Sequence, residues 1–97
     1  MNVSIRCNAL KAPRPVKEGS ETMVIAMATI NLDDLWVVEN VRVLKKGDGA
    51  PFLGMPQYKT RDKEGNETWR DIAHPITSEG AGELRAALEA AIAEAGL

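Results

Sequence analysis

Aromatic side chains are scarce in this sequence: Trp36, Phe52, Tyr58 and Trp69 are the only four in 97 residues. The core must therefore be aliphatic, built from Val, Ile, Leu, Met and Ala. Cysteine is scarcer still. The single Cys7 excludes an internal disulfide, and with no second cysteine or neighbouring histidine it nominates no metal or nucleophilic site. It reads as an inert buried thiol. The one histidine, His74, has no metal-ligand companion. No serine, cysteine or acid stands near it at a spacing that would form a triad. An enzyme is not expected, nor is a cofactor or a metal. No apolar run approaches the ~18 residues of a membrane span, and no charged-then-apolar leader opens the chain. A reducing cytoplasm is the expected compartment.

An excess of positive charge is also missing. The net charge is −2, which excludes a uniformly basic nucleic-acid coat. The average hides a split. Residues 42–70 carry seven cations against four acids, a net of +3, whereas residues 79–97 carry one cation against four acids, a net of −3. Such asymmetry can make a local binding face on an acidic protein. The stretch Val41–Ile76 is richest in chemistry, with seven of the twelve basic side chains, three of the four aromatics and the only histidine.

The length fits a single domain over residues 1–97, and its alternation points to strands. Val3–Leu10 alternates, placing Val3, Ile5 and Cys7 on one face against Ser4, Arg6 and Asn8. Lys11–Glu21, with Pro13, Pro15 and Gly19, reads as a loop, and Arg6, Lys11, Arg14 and Lys17 could together extend a basic surface. Thr22–Leu32 is apolar at both parities, so both faces of that strand should be covered, one by a helix and the other by a further layer or subunit. Asp33-Asp34 suits a tight hairpin turn into Leu35–Lys46, where Glu39-Asn40 interrupts the alternation and predicts a bulge. Arg42 points away from the Val41 and Val43 side. KKGDGA is a plain turn, since neither GK[ST] nor a helix follows its glycines. PFLGMP is a short strand ended by Pro56. Gln57–Asp62 and Glu67–Ala73 form a hairpin around a four-residue loop, Lys63–Asn66. His74, before Pro75, should be extended and set the exit from sheet to helix. From Ser78, the expected N-cap, Leu84, Leu88, Ala91, Ile92 and Ala95 recur at helical spacing until Gly96. The fold class is thus α+β, an antiparallel meander with a hairpin and one C-terminal helix packed on the sheet.

Four motifs carry a family resemblance: ATINLDD at Ala28–Asp34, VRV at Val41–Val43, FLGMP at Phe52–Pro56 and RDIAHPI at Arg70–Ile76. With these the chain resembles the stage V sporulation protein G (septation protein SpoVG) family of small bacterial proteins. The resemblance implies a compact α+β domain, usually a homodimer, with a regulatory role. It also implies binding of DNA, in some members RNA, with effects on septation, sporulation and other gene expression. The helix here is acidic, which directs the expected phosphate contacts to the sheet and hairpin.

An even loop puts Lys59, Arg61, Lys63 and Arg70 on one hairpin face and Tyr58, Thr60 and Trp69 on the other. Like charges facing each other across strands are mildly unfavourable, and phosphates would relieve them. Arg42, Lys45, Lys46, Lys59, Arg61 and Arg70 are accordingly the candidate phosphate contacts, with Trp69 expected to pack against the sheet. The competing reading is a protein-interaction module that recruits a partner through a sheet edge or the acidic helix.

Overall fold

A computed structural model describes residues 2–97. Its first three strands form one antiparallel meander: β1 (Val3–Pro15), β2 (Thr22–Leu32) and β3 (Trp36–Lys46), with the short β4 (Phe52–Gly54) beside β3 in the order β1-β2-β3-β4. A separate two-stranded ribbon follows, β5 (Gln57–Arg61) and β6 (Glu67–Asp71). The chain ends in the helix α1 (Ser78–Ala95), which lies mainly across β1 and reaches β4. The meander, hairpin and packed C-terminal helix agree with the architecture expected from the sequence.

Aliphatic side chains of modest size make the core. Ala26, Ala28, Ile30, Val41, Val43 and Leu88 are buried together, and Val3, Ile5, Cys7, Leu53, Leu84 and Ile92 pack around them. The helical stripe is therefore seated as its spacing predicts, except that Ala95 stays exposed. Burial in this apolar setting raises the Cys7 thiol pKa above its ordinary value, as desolvation of a thiolate must.

Bulges rather than regular pairing shape the middle of the sheet. Ala28 faces Val41 and Ile30 faces Val38, so β3 holds one extra residue at Glu39-Asn40, with Asn40 at φ 60°. A compensating extra residue lies on β2 between Val24 and Ala26. Val43 joins the helix-side core, so its neighbour Leu44 points to the opposite face, and Val24, the partner of Leu44, points there too. The two apolar parities of β2 thus serve both faces. Val24 and Leu44 are buried on the face opposite the helix, although no helix packs there among the described residues.

Two local expectations are corrected. The first half of the predicted Lys11–Glu21 loop is strand: β1 continues to Pro15, and Arg14 and Pro15 pair with Val24 and Met23 after an irregularity beyond Ala9, while residues 16–21 make the turn into β2. An edge strand tolerates Pro13 and Pro15 because its outward amides need no partner. The helix N-cap is Thr77 rather than Ser78, and its Oγ1 accepts a 2.9 Å hydrogen bond from the Gly80 amide. At the other end Gly96, at φ 73°, donates to the Ala93 carbonyl and Leu97 donates to Ile92, the paired bonds of a Schellman stop. Asp33 and Asp34 turn β2 into β3 with φ of 56° and 57°, the positive values that a type I′ turn uses.

Candidate nucleic-acid interface

The ribbon's register follows from its turn. Asp62 accepts from the Gly65 amide at 3.0 Å and donates to the Asn66 carbonyl at 3.0 Å, while its Oδ1 accepts from the Glu64 and Asn66 amides, both at 2.9 Å. Gly65 takes φ 83°. This is a three-residue loop, Lys63–Gly65, closed by a left-handed glycine. An odd loop reverses the parity expected from an even one. Lys59 pairs with Trp69, Arg61 with Glu67, and Tyr58 with Arg70.

The predicted like-charge cluster is therefore absent. Lys59 and Arg61 share a face with Trp69 and Glu67, and Lys59 Nζ sits 2.9 Å from Glu67 Oε2. Both partners are largely exposed, so the pair is screened and adds little stability. Arg61 leans back over the turn, its Nη1 3.4 Å from the Gly65 carbonyl. Arg70 lies on the other face with Tyr58, beside a shallow depression that also touches Asp71 and His74. His74 itself is exposed, its Nδ1 3.0 Å from the Pro75 carbonyl.

On the sheet, Arg42 and Lys46 share the face opposite the helix, while Lys45 has the other parity and is half-buried opposite Met23. Arg42 is placed by Gly54. A Cβ there would stand 2.8 Å from Leu44 Cδ1 and 3.2 Å from Arg42 Nη2, so the glycine of FLGMP leaves room for both side chains to fold over β4. The six predicted residues thus fall into separate groups, not one patch.

Two of the cations expected to extend a basic surface, Arg6 and Arg14, are brought by the sheet to Arg42, although neither was among the six candidate phosphate contacts. Arg6 pairs with Thr29 and Arg14 with Val24, placing both on the Arg42 face. The alternation around Ile5 and Cys7 gave a readable signal for Arg6. The strand pairing of Arg14 had no such signal, because two prolines flank it. The opposing residues on this face, Thr29, Val24, Met27, Gly54 and Thr22, are all uncharged.

An open cleft of about 790 Å³ lies where this face meets the ribbon. Lys17 enters it from the β1–β2 loop, Asn40 and Arg42 from β3, and Gln57 and Trp69 from the ribbon. Contrary to expectation, Trp69 does not pack against the sheet and is 60% exposed. The ribbon has few contacts with the rest of the fold because nothing apolar on it is buried. Gln57 Nε2 donates to Asp71 Oδ1 at 2.8 Å, and the Ile72 amide donates to the Pro56 carbonyl at 2.7 Å, which ties the base of the ribbon together.

A four-stranded antiparallel sheet backed by one helix, with its chemistry confined to exposed cations, amides and aromatics, defines a small α+β protein of the meander-and-helix class. No cluster of metal-ligating side chains occurs among the described residues. The chain belongs to the SpoVG family, whose model matches residues 11–95. It is 38% identical over 69 residues to a protein of Macrococcus caseolyticus that bears the SpoVG septation-protein name, a match covering 71% of this chain and 56% of the relative. Similar relatives of the same name occur in Geobacillus thermodenitrificans, 39% identical over 71% of this chain and 67% of the relative, and in Treponema denticola, 44% identical over 56% and 53%. The chain thus spans between about half and two thirds of the length of these relatives. No helix among the described residues is long and apolar enough to cross a membrane.

Proposed function

We propose that this chain is a cytoplasmic nucleic-acid-binding regulator that grips the phosphate backbone with cations of the sheet and ribbon. One observation carries this reading: Arg6, Arg14, Arg42 and Lys46 share one sheet face on which every residue paired with them is uncharged. Uncompensated guanidinium and ammonium groups are what a polyphosphate backbone neutralises, with release of its counterions. The ribbon cations Lys59, Arg61 and Arg70 and the half-buried Lys45 extend the contact at its margins. Lys59 contributes least while it is held by Glu67. A homodimer, as the resemblance implies, would double the surface. With no base-reading motif, sequence preference is weak.

A salt-series titration of labelled DNA and RNA, with light scattering for oligomeric state, tests the reading. Replacing Arg42 and Lys46 by Glu should weaken binding at low salt and flatten the slope of log affinity against log salt. Equal affinity and equal slope in wild type and variant would remove this face from the interface.

The exposed tip of the β2–β3 hairpin favours a second reading. Leu35 and Trp36 are 79% and 74% exposed there, next to an exposed Val37. Contiguous apolar exposure of this kind marks protein contacts. Under this reading the chain recruits a protein partner and binds little oligonucleotide at modest salt.

A further inference from the structure

We infer that Trp69 is a stacking platform for one unpaired base, so that the cleft beside it takes single-stranded rather than duplex nucleic acid; this rests on the reading of the chain as a nucleic-acid binder. The first ground is the exposure of the indole. In a chain with four aromatic rings, burying a tryptophan would be a large gain for the core, yet Trp69 stands 60% exposed at the centre of its strand. The second ground is how its neighbours are held. On the same ribbon face Gln57 is bonded to Asp71 on one side of the indole, and Lys59 is paired with Glu67 on the other. These links run between the two strands and frame the ring.

The third ground is the composition of the cleft. Its charged lining residues are Lys17 and Arg42, both positive, and none of the eight lining residues is acidic. Asn40 and Gln57 add amide groups able to meet a base edge, and Met55 and Pro56 add apolar surface. The volume falls within the roughly 300–1,000 Å³ of small-ligand sites. A ring with an open face, two cations and two amides is the chemistry that receives a base and its flanking phosphates. In a duplex the bases are already stacked on each other, so a duplex can use the two cations but not the indole.

Trp36→Phe leaves Trp69 as the only indole, and its fluorescence is then a direct reporter. Titration of this protein with short oligothymidylate and oligouridylate should quench the emission, and a duplex of equal length should leave it nearly unchanged. The two single strands distinguish DNA from RNA as the source of the base. Trp69→Ala should weaken single-strand binding roughly 5- to 150-fold, as removal of a base–aromatic stack does. It should leave duplex affinity and the salt slope unaltered, since no charge is removed, and Trp69→Phe should restore most of the loss. Circular dichroism confirms that each variant is folded. If wild type binds single strands but Trp69→Ala binds them equally well and no quench occurs, the stacking inference falls while the phosphate-binding reading stands. If neither single strands nor duplex bind at low salt, both fall.

Discussion

The four-stranded sheet and the two-stranded ribbon are both antiparallel and both alternate in sequence, but different forces set their registers. In the sheet, a slip of one residue would turn Val41 and Val43, both fully buried, out to solvent and bring Arg42 into the core. Burial fixes that register, and even its two bulges cancel so that the core side chains stay aligned. In the ribbon, nothing large and apolar is buried, and both Tyr58 and Trp69 are exposed. Its register is set by hydrogen bonds within a three-residue turn. The radius of gyration, 14.3 Å against about 13 Å for a compact chain of this size, agrees with a ribbon that projects from the body. The proposed binding surface is therefore divided between a rigid part, fixed by the core, and a part that can be altered without disturbing it.

The largest expected effect breaks the rigid part. Leu88 is 5% exposed and is the helix residue in the central cluster. Leu88→Ala should destabilise the fold by about 2–5 kcal/mol through lost transfer energy and the cavity left behind. The check is urea denaturation, in which the midpoint falls while the slope holds. A larger truncation on the ribbon, Trp69→Ala, should barely move the same midpoint. Equal shifts would mean that the ribbon is part of the core.

A smaller effect should separate the two regions. Gly65 holds φ 83° with no atom near a would-be Cβ, so the strain of Gly65→Ala is purely conformational, about 1–2 kcal/mol. Native-state amide exchange should show faster exchange for the amides of β5 and β6 and unchanged protection in β2 and β3. Loss of protection throughout would show that turn and sheet unfold as one unit.

This division also explains what could be read beforehand. Strands β2 to β4, the β2–β3 turn, the Asn40 bulge and the helix were legible because alternation, helical spacing and Gly96 all point the same way. The ribbon's existence was legible and its register was not. Asp62 and Gly65 three positions apart are the signature of a type I turn, but an even loop fits the strand pattern equally well, and no buried side chain arbitrates. The predicted basic cluster of Lys59, Arg61 and Arg70 failed on that one residue of loop length. The continuation of β1 past two prolines was hidden for a different reason: edge pairing depends on which amides face outward, and composition does not reveal it. The pairing of Arg14 with Val24 was hidden with it.

Cys7 gives the sheet side a pH dependence of its own. Burial lifts the thiol pKa in the folded chain above its unfolded value. At low pH the thiol is neutral in both states and has no effect. As pH rises past about 8.5, where an unfolded cysteine ionises, the unfolded chain gains a charge that the folded chain resists, and stability falls until the folded pKa is passed. The urea midpoint of wild type should therefore fall relative to that of Cys7→Ala above that pH. Wild-type alkylation should need a higher pH than that of a free thiol. A Cys7 that reacts like a free thiol would contradict its place among the core residues.

The smallest effect belongs to the ribbon and depends on salt instead. The Lys59–Glu67 pair joins side chains that are 53% and 61% exposed, so a double-mutant cycle with Lys59→Ala and Glu67→Ala should return less than about 1 kcal/mol and approach zero at high ionic strength. The informative part is its consequence for binding. Glu67→Gln breaks the pair, removes one acid from the Trp69 face and frees Lys59 for a phosphate. Nucleic-acid affinity should therefore rise at low salt, with a steeper salt slope, while stability hardly moves. Lys59→Ala should change affinity less than Arg42→Ala does, because Lys59 is already engaged by Glu67 and the residues paired with Arg42, Met27 and Gly54, are uncharged. If Glu67→Gln leaves affinity unchanged, the ribbon cations lie outside the contact, and the sheet face would be the whole of the phosphate-binding surface.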